Sequence, residues 1–502
     1  MFQPIRFTLF ITACFTFFTA TAQRKIVLHI DENKTYQTIR NFGASDAWSC
    51  QFVGNWPDEK RNAIADWLFS MDTLSNGNPK GIGLSLWRYN LGAGSAEQNN
   101  ESGIKDEWRR ASLTVSELNP VSKKVVAQNW FLSAAGKRGV LQFLGFFNSP
   151  PVQLTKNGKA FSNKGQCNID SNNFQDFADY TVKAIREIKK STGITFNYIS
   201  PVNEPQWDWS DGGQEGCPYS NEEISSIVKI FSKSFQQNKL LTKLLIAESG
   251  DLKYLLAVNG KKGRDEQVHD FFSSSSPYYI GNLPNLSRVI ASHSYFTTSP
   301  FAAAATLRTQ VKDSIAKIKN LEYWQSEYCI LGDNNGEING ARKDTGMNAA
   351  LYIAKVMYED LAIADASAWQ WWTAISAYNY KDGLIYISKN ETSGDFSDSK
   401  MLWAMGNYSR FVRPGMKRIN VAITSKEVLV SGYKDMRKGT VVLVVVNESA
   451  EEKLLTADQA SNFSNKKIIT YTTDATASLA KSNTTFNELV IPAKSVVTIV
   501  VN

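Results

Sequence analysis

Histidine is nearly missing from this 502-residue chain: His29, His269 and His293 are the full set. That argues against a His-rich metal centre. It also argues against serine-hydrolase chemistry, for which no G-x-S-x-G motif is present. Cysteine is scarce as well. Apart from Cys14 the chain has Cys50, Cys167, Cys217 and Cys329, whose spacing matches no zinc pattern. No G-x-G-x-x-G follows a strand-like run, so the dinucleotide fingerprint is absent. The net charge of +7 comes from scattered lysines, with doublets such as Lys123–Lys124 and Lys261–Lys262 but no long basic run. Such a surface is solvated rather than shaped for nucleic acid. Beyond the N-terminus no apolar run is long enough to span a membrane.

The N-terminus reads as an export leader. Arg6 supplies the positive charge, "FTLFITACFTFFTA" the apolar stretch, and "ATA" at 20–22 a small-residue cleavage site before Gln23. "ITAC" (11–14) offers a second reading as a lipoprotein box at Cys14. An exported protein (secreted, periplasmic or at the cell surface) is permitted disulfides, and Cys167–Cys217 is the first pair to test. Aromatic residues are plentiful, with 13 Trp, 19 Tyr and 27 Phe. Sugar-binding clefts use such rings, and large cores bury them too.

From about residue 41 to 410, short apolar runs alternate with helical patterns. The strand candidates are "NFGASDAW" (41–48), "GLSLWRYNL" (83–91), "VLQFLGFF" (140–147), "FNYISPVN" (196–203), "LLIAES" (244–249), "VIASHSYF" (289–296), "YWQSEY" (323–328) and "SAWQWW" (367–372). Helical patterns are clearest at 57–71, 173–191, 221–238, 302–319 and 346–364. Eight strands alternating with helices predict an α/β fold, a (β/α)8 TIM barrel. After "FVRPGMKR" (411–418) the pattern turns to strands and turns, which predicts an appended β-sandwich side domain over 411–502. The early run 23–40 supplies a strand to it, leaving 1–22 as the leader and 41–410 as the barrel.

Barrel active sites form at the C-terminal ends of the strands. Glu204, in "PVNEPQWDW" (201–209), follows the fourth strand, and Pro205 keeps it in extended or turn backbone. Glu327, in "WQSEYC" (324–329), ends the seventh. Two carboxylates facing each other across a barrel mouth are the working parts of glycoside hydrolysis: one protonates the leaving oxygen, and the other attacks the anomeric carbon or activates water. His293 and Tyr295, two apart in "SHSYF" (292–296), point to one side of their strand.

These motifs together resemble glycoside hydrolase family 30. "SPVNEPQ" and "WQSEYC" are joined by "FNSPPVQLTKNG" (147–158), "SHSYF" and "FVRPG" (411–415) in the family's order. The longer run through "QEGCPY" (214–219) is most similar to the endo-β-1,6-galactanase-like branch. The resemblance implies a retaining β-glycosidase with Glu204 as acid/base and Glu327 as nucleophile. It also implies that Asn203 hydrogen-bonds the sugar 2-hydroxyl, and that Arg88, inside "SLWRYN", sits beside Glu327 and holds it ionised. Tyr295 is expected to hydrogen-bond Glu327. No cofactor and no metal are expected. The expected partner is a polysaccharide or oligosaccharide, bound by a monomer, with no nucleic acid and no membrane span.

Other readings stay open at this point. His293 fits a buried structural role as well as a substrate-binding one, and Glu248 fits either substrate hydroxyls or a buried ion pair. Glu215 could line the cleft. Trp207, Trp209, Trp369, Trp371 and Trp372 could stack on sugars, although strand alternation must turn some of the last three toward helices. Val152 and Gln153 stand where glucosylceramidase-like members carry a Trp, so the reacting-sugar site is lined differently. The stretch 375–383 has no arginine to clamp a glucuronate; Lys381 is its one cation. Another β-glycan hydrolase (a β-1,6-glucanase, xylanase, or exo-acting glucosidase or fucosidase) and a non-catalytic carbohydrate-binding barrel are the alternatives.

Overall fold

The computed structural model describes residues 25–115, 122–257, 260–458, 463 and 466–501. The leader read over 1–22, with Cys14, lies outside them. All eight strand candidates form. They run Asn41–Ser45, Leu86–Asn90, Gln142–Phe146, Tyr198–Ser200, Lys243–Ser249, Leu286–His293, Glu322–Glu327 and Ala368–Trp371. They pair in parallel and in order, and the eighth closes on the first with Trp371 opposite Ala44. The fold is thus a (β/α)8 barrel. Helices follow at Asp58–Phe69, Phe174–Thr192, Asn221–Gln237, Phe301–Ala316 and Met347–Tyr358, with Lys123–Lys137 and Lys400–Ser409 in addition. No helix among the described residues is long and apolar enough to cross a membrane.

Two-residue periodicity divides the barrel interior into layers. Leu86, Leu144, Leu245, Val289, Ala291, Trp324 and Ala368 form an apolar plug with Tyr198 packed against it. Two residues further along five of those strands stand Arg88, Ser200, His293, Ser326 and Gln370. The interior therefore changes from apolar to polar toward the strands' C-terminal ends, where the chemistry is expected.

Beside the barrel lies a nine-stranded sheet. Ile26–Thr38 pairs antiparallel with Lys417–Ile423 and parallel with Lys453–Ala457. The strand Val441–Asn447 shows why "VVLVVVN" is apolar at nearly every position. Val442, Val444 and Val446 belong to the barrel's core, while Val441, Leu443 and Val445 enter a second core with Leu28, Leu455, Ile491 and Ile499. A strand buried on both faces reads as a continuous hydrophobic run. Residues from strands near both ends of the sheet, among them Ile468, Leu455 and Ile491, share that second core.

Candidate active site

Glu204 and Glu248 both depart from ordinary strand backbone, at φ 43° and φ 50°. The Glu204 N–H donates to the Glu248 carbonyl at 2.8 Å, tying the ends of strands four and five together. Pro205 thus leaves Glu204 in a left-handed turn, not in extended backbone. Non-glycine residues in this region cost energy and cluster at functional sites. The loop beyond is held by the same residue: Trp209 Nε1 donates to the Glu204 carbonyl at 3.0 Å.

The polar layer is a connected network. Arg88 Nη1 donates to Glu327 Oε2 at 2.5 Å, and Nη2 donates to Asn203 Oδ1 at 2.9 Å, with Glu248 Oε2 at 3.5 Å. Its guanidinium lies 3.6 Å over the Phe146 ring. Tyr295 donates from its hydroxyl to Glu327 Oε1 at 3.0 Å, as expected from the sequence. His293 bridges two carboxyl groups, with Nδ1 2.8 Å from Glu204 Oε1 and Nε2 3.1 Å from Glu248 Oε2. Ser200 and Ser326 donate to Glu248 at 2.6 and 2.5 Å.

Burial and charge set the protonation of these groups. Burial pushes the Glu204 carboxyl above its usual range, against the bond and charge of His293, and the Glu327 charge adds to the rise. Burial acts on Glu248 in the same sense, but the Arg88 charge and then His293 outweigh it and hold Glu248 at about 2. His293 is buried too, yet the Glu327 charge and its bonds to Glu204 and Glu248 push it up to about 9. One atom each of Glu204, His293 and Glu327 lie within 4.8 Å of one another, close enough to converge on a cation. Arg88 and a protonated His293 already supply positive charge there.

Above this layer opens a cleft of about 1010 Å³. Asn203, Glu204, Trp207, Trp209, Tyr295 and Glu327 line it. Asn203 is oriented by Arg88 and donates to Asn148 Oδ1 at 3.1 Å. Other expected residues lie elsewhere. Arg88, His293 and Glu248 are fully buried and do not line the cleft; their side chains bond Glu327, Glu204 and one another instead. Glu248 is the buried ion pair of the two readings, because four side chains already occupy its oxygens. Trp371 is fully buried and does not line the cleft. Alternation turns it and Trp369 to the helix side, where the two rings stack at 6.1 Å, while Gln370 faces the barrel interior. Trp372, just past the strand, is the indole that lines the cleft, with its edge against Trp48 at 5.1 Å. Lys381 is withdrawn, since its ammonium donates to the carbonyls of Asn339, Ala341 and Arg342 at 2.8–2.9 Å.

Cys167 and Cys217 are buried neighbours but remain free thiols, as do Cys50 and Cys329. The disulfide expectation therefore fails in this structure. Sequence reasoning also missed Trp48, Arg109, Asn148, Tyr378 and Asp382, all on the cleft wall. All lie outside the barrel strands, and although Trp48 (run 41–48), Asn148 (147–158), Tyr378 and Asp382 (375–383) sit in runs considered above, no residue pattern marked them.

Glu215 does not line the cleft. It is 2% exposed and accepts bonds from Ala93 N–H (3.1 Å) and Ser95 Oγ (2.6 Å), joining the loops after strands four and two. Burial pushes it up to about 7. A carboxyl raised in the folded state contributes stability that is complete below its ordinary value and lost as pH rises through about 7. Glu215→Gln keeps an acceptor and cannot ionise. Its melting temperature is expected to fall less than the wild type's between pH 5 and pH 8, by scanning calorimetry; parallel declines would refute the assignment.

The profile of O-glycosyl hydrolase family 30 matches residues 25–386. An endo-β-1,6-galactanase from Hypocrea rufa is 24% identical over 453 residues, 86% of this chain and 83% of that protein. The crystal structure of a conserved exported protein from Bacteroides fragilis is 35% identical, with a TM-score of 0.87 over 94% of this chain and all of that one. The catalytic domain of a family 30 xylanase from Talaromyces cellulolyticus superposes with a TM-score of 0.68 at 20% identity, over 95% of this chain and 100% of that one. With two strand-end carboxylates in an eight-stranded barrel and a profile match over most of its length, the chain belongs to glycoside hydrolase family 30 and is a glycoside hydrolase.

Proposed function

We propose that this protein is an exported, retaining endo-β-1,6-galactanase, with Glu204 as acid/base and Glu327 as nucleophile. The observation that carries the mechanism is the approach of the two carboxyl groups, whose nearest ligand atoms come within 4.8 Å. Retaining pairs hold their carboxyl groups about 5–5.5 Å apart, a separation that this nearest-atom approach accommodates.

Charge balance distributes the roles. Glu204, Glu248 and Glu327 share two cations, Arg88 and His293, so the cluster is neutral when one carboxyl keeps its proton. Glu204 is the one driven upward by burial. It protonates the leaving oxygen as Glu327, held by Arg88 and Tyr295, attacks the anomeric carbon and forms a covalent sugar ester. Glu204, now ionised and bonded by His293, takes a proton from the water that hydrolyses the ester. Proton NMR of the first product is expected to show the β anomer before mutarotation; α appearing first sinks the mechanism.

The substrate reading rests on the "SPVNEPQWDW" and "QEGCPY" runs and on the Hypocrea rufa relative. The rings of Trp48, Trp207, Trp209, Trp372 and Tyr378 along the cleft are enough to bind more than one sugar. Export is supported by the leader-like first 22 residues and by the relative described as exported. Chromatography is expected to show short β-1,6-galacto-oligosaccharides from debranched arabinogalactan and little from glucuronoxylan or β-1,6-glucan. Strong release from β-1,6-glucan with none from β-1,6-galactan overturns the substrate and leaves the mechanism standing.

A further inference from the structure

The cleft carries aromatic rings on two opposite arcs of the barrel. Trp48 follows strand one, and Trp372 and Tyr378 follow strand eight; Trp48 packs 5.1 Å from Trp372 and 5.9 Å from Tyr378. On the other arc Trp207 follows strand four and Phe296 follows strand six, and these two rings meet edge to face at 6.1 Å. The strands pair in order around the closed sheet, so four to six face eight to two. Of the large apolar side chains left exposed among the described residues, Phe296 is the one on the cleft wall, with 47% of its surface open. Its backbone is left-handed at φ 58°, which costs energy for a bulky residue. The ring is nevertheless held, by Trp207 and by Tyr295 at 6.2 Å. Trp207 is braced in turn by Tyr254 at 5.8 Å, and its N–H donates to the Glu204 carbonyl at 3.2 Å. A strained backbone that keeps an apolar ring half in water adds little to folding. Covering that ring with a ligand's apolar surface would stabilise the complex.

We propose that Phe296, braced by Trp207, is the platform on which the sugar of the leaving group stacks. This rests on the reading of Glu204 as acid/base in a hydrolase of 1,6-linked β-glycan. The acid must reach the glycosidic oxygen, so the wall on its side, and not the arc of Trp48, Trp372 and Tyr378, meets the sugar that departs with that oxygen. In a 1,6-linked chain that oxygen is borne on an exocyclic carbon, which adds a rotatable bond between the two rings. The transferred sugar therefore does not place the leaving one, which needs a surface of its own to be oriented for proton transfer. A pyranose offers an apolar C–H face that suits a phenyl ring.

The test compares β-1,6-galactotetraose, whose leaving group is a sugar, with the β-fluoride of β-1,6-galactobiose, whose leaving group is one atom. Initial rates are measured with wild type, Phe296→Ala, Phe296→Gly and Phe296→Tyr. Phe296→Ala is expected to lose about five- to fiftyfold in kcat/KM on the tetraose and less than about threefold on the fluoride. Phe296→Tyr keeps the ring and should stay within about threefold of wild type on both. Phe296→Gly adopts a positive φ freely, so it should show the same split as Phe296→Ala while melting no lower than wild type. A tetraose rate undiminished in Phe296→Ala overturns the proposal. Equal losses on both substrates overturn it too, and assign the ring a structural role through Tyr295. Cleavage of the matching gluco-oligosaccharides but not the galacto ones rejects the galactan reading alone, and the same comparison is then made on the gluco pair.

Discussion

Glu327→Gly is expected to abolish turnover of every glycoside, whatever its leaving group, with a loss on the order of 10⁶-fold, the scale set by removing a covalent nucleophile. Glu204→Ala is expected to behave differently. An activated aryl leaving group needs little protonation, so the glycosyl-enzyme should still form and then stall for want of a base. For a natural sugar leaving group the loss should be about 10²–10⁴-fold, the usual contribution of general acid catalysis. Azide separates the two. It should rescue Glu204→Ala by opening the sugar ester from the free face, giving the β-glycosyl azide. In Glu327→Gly it occupies the vacated space and attacks the substrate directly, giving the α-azide. Swapped products would exchange the two roles, and full activity in either variant would reject the site. Arg88 keeps Glu248 and Asn203 as partners when Glu327 is removed, so the loss should not come from unfolding.

Much of this was legible in the sequence because barrel strands are short, apolar and regularly spaced, and because their C-terminal ends are where polar side chains break the pattern. Arg88 stood out as a cation inside an apolar strand, and Glu204 as a carboxyl pinned by Pro205. The helix Lys123–Lys137 was missed because its outward side is not cleanly polar: Val126 and Trp130 share it with Asn129 and Ser133, while Val125, Gln128, Phe131 and Ala135 form one buried face. Facing was harder still. Trp371 and Trp372 are equally aromatic, and only the point at which strand eight ends decides which one meets the cleft. Loop residues carry no such register. Lys381 looked available and is bonded to three carbonyls, whereas Asp382 beside it carried no local signal and lies on the cleft wall.

The second large effect is expected at Arg88, which is buried below the cleft and holds Glu327 and Asn203 on its floor together with the buried Glu248. Arg88→Met preserves apolar volume over the Phe146 ring but removes the cation shared by Glu327, Glu248 and Asn203. Breaking a buried ion pair from one side typically costs about 3–5 kcal/mol, because the partner charge is left uncompensated. Activity should fall with it on good and poor leaving groups alike, since Glu327 loses its hold. The pH dependence identifies the cause. Glu248, held at about 2 in the folded protein, contributes stability that is complete above the ordinary carboxylate range and lost as pH falls toward 2. That contribution comes first from Arg88, so the melting difference between wild type and Arg88→Met should be largest above about pH 4.5 and shrink as pH falls toward 2. Arg88→Lys restores a charge without the fork that reaches Glu327 and Asn203 together, and should recover stability more fully than kcat. A melting difference that is the same at pH 3 and pH 7 would mean that Arg88 acts by packing and not by charge.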